Sequence, residues 1–407
     1  MVTSSPPSTL FEGDYYQNPY PAFAWLRDNA PVHEFSFPIG DFRSWIVTRF
    51  DDVHALLGDP RFSTNAGDYA SPEFQKSGMV LGAGTVVERI LSTLDPPDHT
   101  RQRKLAMGSF TPRRIAQWRE STQRIVEANL DRLGKQENPD LMDYAGAVPA
   151  EVIGNVFGIS LERYNDIIQA IDRAFHPDDE TENVTSAFED IAQYGRELIV
   201  EKRNAPGDDL LTSLIEARDG NDRLTEDELV AMLAQMIMAG LDTTRNLIGS
   251  AVLAMLDNPG QRRLLAERPE LAPQAIDEFL RYEGAFTMGL FRFAKEDLEF
   301  GGVSLPAGAP VIATILSANR DPRRFTDPDR LDITREGPRN LGLGHGLHNC
   351  IGAALAKLEA EIAIPAVLNR FPEMELAIPR DEITYSESWL LRALTRLPVS
   401  LHGAGPR

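Results

Sequence analysis

From Pro112 to about Arg281, apolar residues recur at three- and four-residue spacing, interrupted by Pro and Gly, a pattern that predicts a dominant helix bundle. Upstream, "NPYPAFAWLRDNAPV" reads as a short helix, and "SWIVTRF" alternates apolar and polar positions as a strand does. Strand-like runs return in "DLEFGGVSLPAGAPVIA" and in "TRLPVSL" near the end. A minor sheet would thus be assembled from distant parts of the chain, and 11–407 is expected to be one interwoven, mainly α domain. No 20–50-residue repeat is present. Residues 1–10, rich in Ser, Pro and Thr, are expected to be disordered.

The longest predicted helix starts at a T-x-x-E capping box, Thr225 and Glu228, and carries apolar residues to about Leu256, a length of about 50 Å at ~1.5 Å per residue. In its middle lies AGLDTT, Ala239 to Thr244. Gly and Thr are weak helix formers, and the hydroxyls compete for backbone hydrogen bonds, so the helix is expected to break or kink there. An acid beside an alcohol on a buried helix suits proton delivery, which makes Asp242 and Thr243 the candidate pair; a satisfied polar kink is the other reading of the same residues.

Composition narrows the function. The 407 residues carry 41 Lys+Arg against 61 Asp+Glu, a formal charge of −20 that repels polyanions and argues against nucleic-acid binding. The N-terminal segment has no basic stretch followed by an apolar run, and no stretch of about 18 apolar residues occurs, so a cytoplasmic protein without a membrane span is expected. The single cysteine excludes an internal disulfide.

That cysteine lies in LGLGHGLHNCIGAALAKLEAE, residues 341–361, where Gly342, Gly344, Gly346 and Gly352 surround Cys350 and a helix-forming run follows at once. Glycines let the backbone turn tightly against a flat object, and a helix N-terminus stabilises a thiolate. A structural zinc site usually needs four ligands, and this segment offers one Cys and two His. A buried, inert cysteine in a Gly-rich turn is the competing reading.

GLGHGLHNCIG resembles the haem-ligand loop of the cytochromes P450, whose pattern is Phe-Gly-x-Gly-x-His-x-Cys-x-Gly. The resemblance implies a cytochrome P450 fold with haem b buried between the long central helix and the cysteine loop. It implies that Cys350 is the axial thiolate ligand of the iron, that Gly344, Gly346 and Gly352 shape the turn, and that His348 contacts a haem propionate. His99 and Arg103 in "DPPDHTRQR" and Arg292 in "GLFRFAKED" would complete the propionate contacts. AGLDTT then resembles the oxygen-activation motif, with Asp242 and Thr243 assisting O–O scission and Ala239 and Gly240 leaving room beside the iron. Glu278 and Arg281 match the E-x-x-R signature, whose third, structural member would be Arg330. One position departs from the pattern, since Leu343 stands where the family has Phe, and the shielding of the sulfur is expected to differ.

The resemblance extends over the whole chain and is greatest to soluble actinomycete enzymes that oxidise polyketides, macrolides and other secondary metabolites. The substrate wall would fall at about 63–93, 160–190, 232–240, 286–290 and 388–391, with Met236, Phe286, Met288, Leu290 and Trp389 as apolar candidates, each equally readable as core. The implied reaction uses O2 and electrons from a separate ferredoxin and its reductase to hydroxylate or epoxidise an apolar substrate. Arg113, Arg114, Arg339 and Lys357 are candidate contacts for an acidic ferredoxin. A peroxide-driven haem-thiolate oxidase and a non-catalytic haem-binding protein are the alternatives.

Overall fold

The computed structural model describes residues 10–175, 184–219 and 222–402. The expected disorder of the first ten residues falls, apart from Leu10, outside this range, as do residues 176–183 of the 160–190 segment. The chain is mainly helical, with the long helix Glu226–Asp257 as its axis. The capping box forms as the sequence predicts: the Thr225 hydroxyl accepts from the Glu228 N–H, and the Glu228 carboxylate accepts from the Thr225 N–H at 2.8 Å.

Helices Leu141–Phe157, Val184–Asn204 and Ala353–Arg370 pack around this axis, and Pro112–Leu133 packs outside them. The main apolar core gathers between them, including Val148, Ile199, Leu233, Ile248, Val252 and Ile364, each at 1% exposure or less. The expected break at 239–244 does not occur. The helix runs through it, and the Thr243 hydroxyl donates to the Ala239 carbonyl at 2.7 Å, one turn back, so it is satisfied without leaving the helix.

The sheet is assembled from distant parts, as expected. Its five strands run in the order Val32–Ser36, Arg43–Val47, Pro310–Ala313, Arg292–Ala294, Phe62–Ser63. The first pair is an antiparallel hairpin, Val32 facing Val47; the second is parallel, Trp45 facing Val311; the remaining two are antiparallel. Two satellite cores flank the sheet, one of them an aromatic cluster that includes Phe23, Phe37, Phe42, Phe74, Phe291 and Phe293. Among the described residues no helix is long and apolar enough to cross a membrane.

Candidate active site

The loop 341–352 takes its shape from glycine. Gly344 and Gly346 have φ of +75° and +71°, which L side chains rarely adopt, and a Cβ on Gly346 would stand 2.7 Å from the Leu57 carbonyl. The loop thereby lies against the helix Phe50–Gly58, where the His345 ring stacks on His54 with centroids 3.7 Å apart. The Cys350 N–H donates to the Leu343 carbonyl at 2.9 Å, which folds the loop back on itself three residues before the helix Ala353–Arg370 begins.

Burial raises the pKa of the Cys350 thiol, opposed by the Gly352 N–H that bonds its sulfur and by the Arg103 charge. Cys350 is nevertheless solvent accessible. Both hold if the sulfur is walled by protein on most sides and opens on an interior cleft. A metal ion would claim the thiolate there in spite of the burial.

Four basic side chains converge beside this cysteine. His99, on the helix Asp98–Met107, is 1% exposed, and neither of its ring nitrogens has a partner. Its ring centroid lies 4.3 Å from that of His348. Arg103, one turn on from His99, donates to the Asn349 carbonyl at 2.6 Å. Arg292 comes in from the sheet, buried, with its pKa lowered by that burial to about 10. Burial, reinforced by Arg292, His99 and Arg103, pushes His348 down to about 2. Asp95 is the acid whose charge reaches Arg292 and His99, and its carboxylate is engaged by Ser63, Thr64 and Lys295. A buried polar group without a partner, as His99 is, is costly, and an anion between it and Arg103, Arg292 and His348 would offset that cost. The cluster therefore fits the two carboxylates of a haem edge, with a thiolate ligand alongside.

On the long helix, an otherwise buried surface opens at 238–243: Ala239 is exposed, and Asp242 and Thr243 are half-buried. Ala239 and Thr243, four apart, share one helix face. Gly240 departs from its expected role. A Cβ there would stand 2.7 Å from Cδ1 of Ile153, so this glycine admits a side chain of Leu141–Phe157 rather than leaving room in the cleft.

The Glu278–Arg281 pair is buried at 2% exposure on both sides, with Arg281 Nε 2.7 Å from the carboxylate. Arg330 is not its third member. The Arg330 side chain points outward and pairs with Asp332 at 2.7 Å, contributing only its carbonyl to Arg281. Arg335, 3.1 Å from Glu278, closes the network. The segment 328–335 turns between these two arginines, and the Asp332 N–H also docks on Glu278, which orients Arg335 inward. The second arginine in "DRLDITREG" was the only sequence signal for this.

The apolar candidates divide. Met288 is fully buried in the aromatic cluster and is a core residue, a correction to its place in the pocket wall. Met236, at 9% exposure, also packs into the main core. Phe286, Leu290 and Trp389 are half-buried, and Trp389 meets Phe37 edge-on at 5.4 Å. Of the basic candidates, Arg113 and Arg339 are exposed, Arg114 reaches the Asp209 carbonyl at 3.5 Å, and Lys357 is paired with Asp277 at 2.5 Å.

Comparison with known proteins shows the family and the fold. The Cytochrome P450 family model matches residues 165–395. Vitamin D(3) 25-hydroxylase of Pseudonocardia autotrophica is 39% identical, covering 100% of this chain and 98% of its own. The structure of the cytochrome P450 PksS of the Bacillus subtilis bacillaene polyketide synthase superimposes with a TM-score of 0.89 at 34% identity, covering 96% of this chain and 99% of that one. Myxobacterial cytochrome P450 CYP267B1, solved with myristic acid, gives 0.91 at 34% identity, with 97% and 99% covered.

Proposed function

Since the chain belongs to the cytochrome P450 family of haem-thiolate monooxygenases, we propose that it draws two electrons from a ferredoxin, itself reduced by a ferredoxin reductase, to hydroxylate or epoxidise an apolar substrate of the secondary-metabolite kind. The observation that carries this reading is the accessible Cys350 set beside His99, Arg103, Arg292 and His348, four basic groups gathered in the interior. In this reading Cys350 holds the iron through its thiolate, and the four basic groups take the propionates. Bound haem supplies O2 binding and reductive O–O cleavage, which thiolate donation favours.

The chain's own groups supply protons and shape. The Thr243 hydroxyl spends its hydrogen on the Ala239 carbonyl, which leaves its oxygen lone pairs as acceptors for a water in the cleft. Asp242 beside it is the acid that replenishes protons there. The exposed flank of Ala239 gives the substrate space, and the packed core on the other side of the helix keeps bulk water out. Phe286, Leu290 and Trp389 supply apolar wall, and the names of the similar proteins, which speak of vitamin D(3), a polyketide synthase and myristic acid, support an apolar substrate of some size. Arg113 and Arg339 offer charge to an acidic ferredoxin; Arg339 lies close enough to His345 of the cysteine loop to lower its pKa, after the larger effects of burial and His54.

Myristic acid is a suitable first substrate probe. With ferredoxin, reductase and a reduced nicotinamide, the wild type should form hydroxylated product, and Asp242→Asn should slow this about 100–10,000-fold, the scale of a lost proton-transfer group. Product from hydrogen peroxide alone would instead favour the peroxide-driven oxidase, and none under either condition, with haem bound, the non-catalytic reading. Separately, Leu343→Phe is expected to move the haem midpoint potential by on the order of tens of millivolts, because packing and polarity around the sulfur tune the iron. An unchanged potential in a redox titration would remove Leu343 from that role.

A further inference from the structure

Glu283 stands where helix physics disfavours an acid. It closes the helix Ala272–Tyr282 at the end with unpaired carbonyls, where the dipole is negative, and it is only 9% exposed. Its carboxylate is nevertheless saturated. Oε1 accepts from Arg392 Nε at 3.0 Å and from the Tyr385 hydroxyl at 3.4 Å; Oε2 accepts from Arg320 at 3.3 Å and from the Tyr20 hydroxyl. Both arginines are fixed in turn. The Arg320 guanidinium lies between the Tyr20 and Tyr282 rings, 4.1 and 4.0 Å from their centroids, and Arg392 donates to the Tyr16 and Gln17 carbonyls.

Buried ion clusters of this kind are often no more stabilising than a well-packed apolar replacement. Their planar, forked bonds do fix direction. The Arg392 N–H donates to the Ala285 carbonyl at 2.8 Å, Leu391 bridges Phe286 in antiparallel sense, and the Thr287 N–H donates to the Leu390 carbonyl at 2.9 Å. These bonds make a two-stranded ribbon of 285–287 and 390–392, clamped at one end by Glu283 and Arg392. Beyond its other end stand the half-buried Leu290 and Trp389. A ribbon of two strands is marginal by itself, and slipping by one residue turns every side chain to the opposite face. The 285–289 strand is tied to its surroundings, the Gly289 N–H donating to the Ala313 carbonyl at 2.8 Å and the Leu316 N–H to the Thr287 carbonyl at 3.3 Å, so it is the register of 390–392 against it that the anchor at Arg392 sets.

We propose that Glu283, acting through Arg392, is a positioning residue that sets the register of this ribbon and so the contour of the wall along which an apolar substrate chain lies. This rests on the reading of 286–290 and 388–391 as substrate wall. It assigns a share in substrate selection to Glu283, a buried acid three residues before Phe286.

The test uses the haem-loaded full chain and two probes, imidazole and 1-dodecylimidazole. Both ligate the iron by nitrogen and are followed by the Soret shift, but only the second lays a tail on the wall. In Glu283→Gln the imidazole Kd should stay within about twofold, while the preference for the dodecyl probe should fall about five- to tenfold, tenfold being the equivalent of 1.4 kcal/mol. Glu283→Asp, which keeps the charge, should recover part of the preference. If Glu283→Gln does not fold, Arg392→Lys reads the same ratio with the cation retained. Leu391→Ala is the control on the wall itself. A ratio that moves in Leu391→Ala but in neither Glu283→Gln nor Arg392→Lys would overturn the inference and leave the wall reading standing. A ratio that moves in none of them would overturn both.

Discussion

Cys350→Ser is expected to abolish the strongly red-shifted Soret band of the dithionite-reduced, carbon-monoxide-treated protein and to lower monooxygenase turnover by more than about 100-fold, since even outer-shell changes at metal sites cost ~10–100-fold. The chain has one cysteine, so no other thiolate can replace it. Serine keeps the size of the side chain and the Gly352 N–H contact but stays a neutral hydroxyl, a poor iron ligand at neutral pH. The basic cluster around His99 and His348 is untouched, so the variant should still take up haem. Haem uptake with the shifted band lost is therefore the expected pair of results, read from one set of spectra. Persistence of the band in Cys350→Ser would mean that the iron is ligated elsewhere and that the reading of the loop is wrong.

The second large effect concerns stability. Glu278→Ala should destabilise the fold by about 3–5 kcal/mol, the cost of breaking a buried ion pair, because it strands the buried Arg281 guanidinium and unties the Asp332 N–H and Arg335. Arg335→Ala should cost about 1–3 kcal/mol, as for a lost charged hydrogen bond. Arg330→Ala, at an exposed side chain, should stay within about 0.5 kcal/mol. Urea unfolding followed by circular dichroism ranks the three. An Arg330→Ala variant as unstable as Arg335→Ala would contradict the assignment of the network.

These variants also mark where the sequence was legible. The capping box, the glycine-framed cysteine loop and the Glu278–Arg281 pair were readable because each is set by neighbours within a turn or two of chain. The continuity of the long helix was not. Propensity argued for a break at AGLDTT, and the packing of the long helix against three others outweighed it, the Thr243 hydroxyl finding its acceptor within the helix. The choice between Arg330 and Arg335 depends on the path of a loop, which local pattern does not encode. Met288 reads as an adaptable pocket residue by type, yet its environment is assembled from aromatic residues more than 200 positions away, such as Phe23 and Phe42. Gly240 was expected to leave room beside the iron, but the neighbour that fills the space, Ile153, lies on another helix. The saturation of Glu283 by Tyr20, Arg320 and Arg392 was invisible for the same reason.

The parallel pairing of Trp45 with Val311 has a consequence for how the protein is made. Ser44 bonds the Pro310 carbonyl across 266 residues, and Gln17 bonds the Tyr385 carbonyl across 368. At about 5–20 residues per second, the ribosome needs roughly 13–53 s to bridge the shorter gap. For that time the nascent hairpin of Val32–Ser36 and Arg43–Val47 has an open edge bearing Trp45, Ile46 and Val47, residues that the finished protein buries. Such an edge is a template for pairing with the wrong chain. Yield in a heterologous host should therefore be limited by chaperone capacity while the first half waits for the second, more than by the stability of the finished molecule.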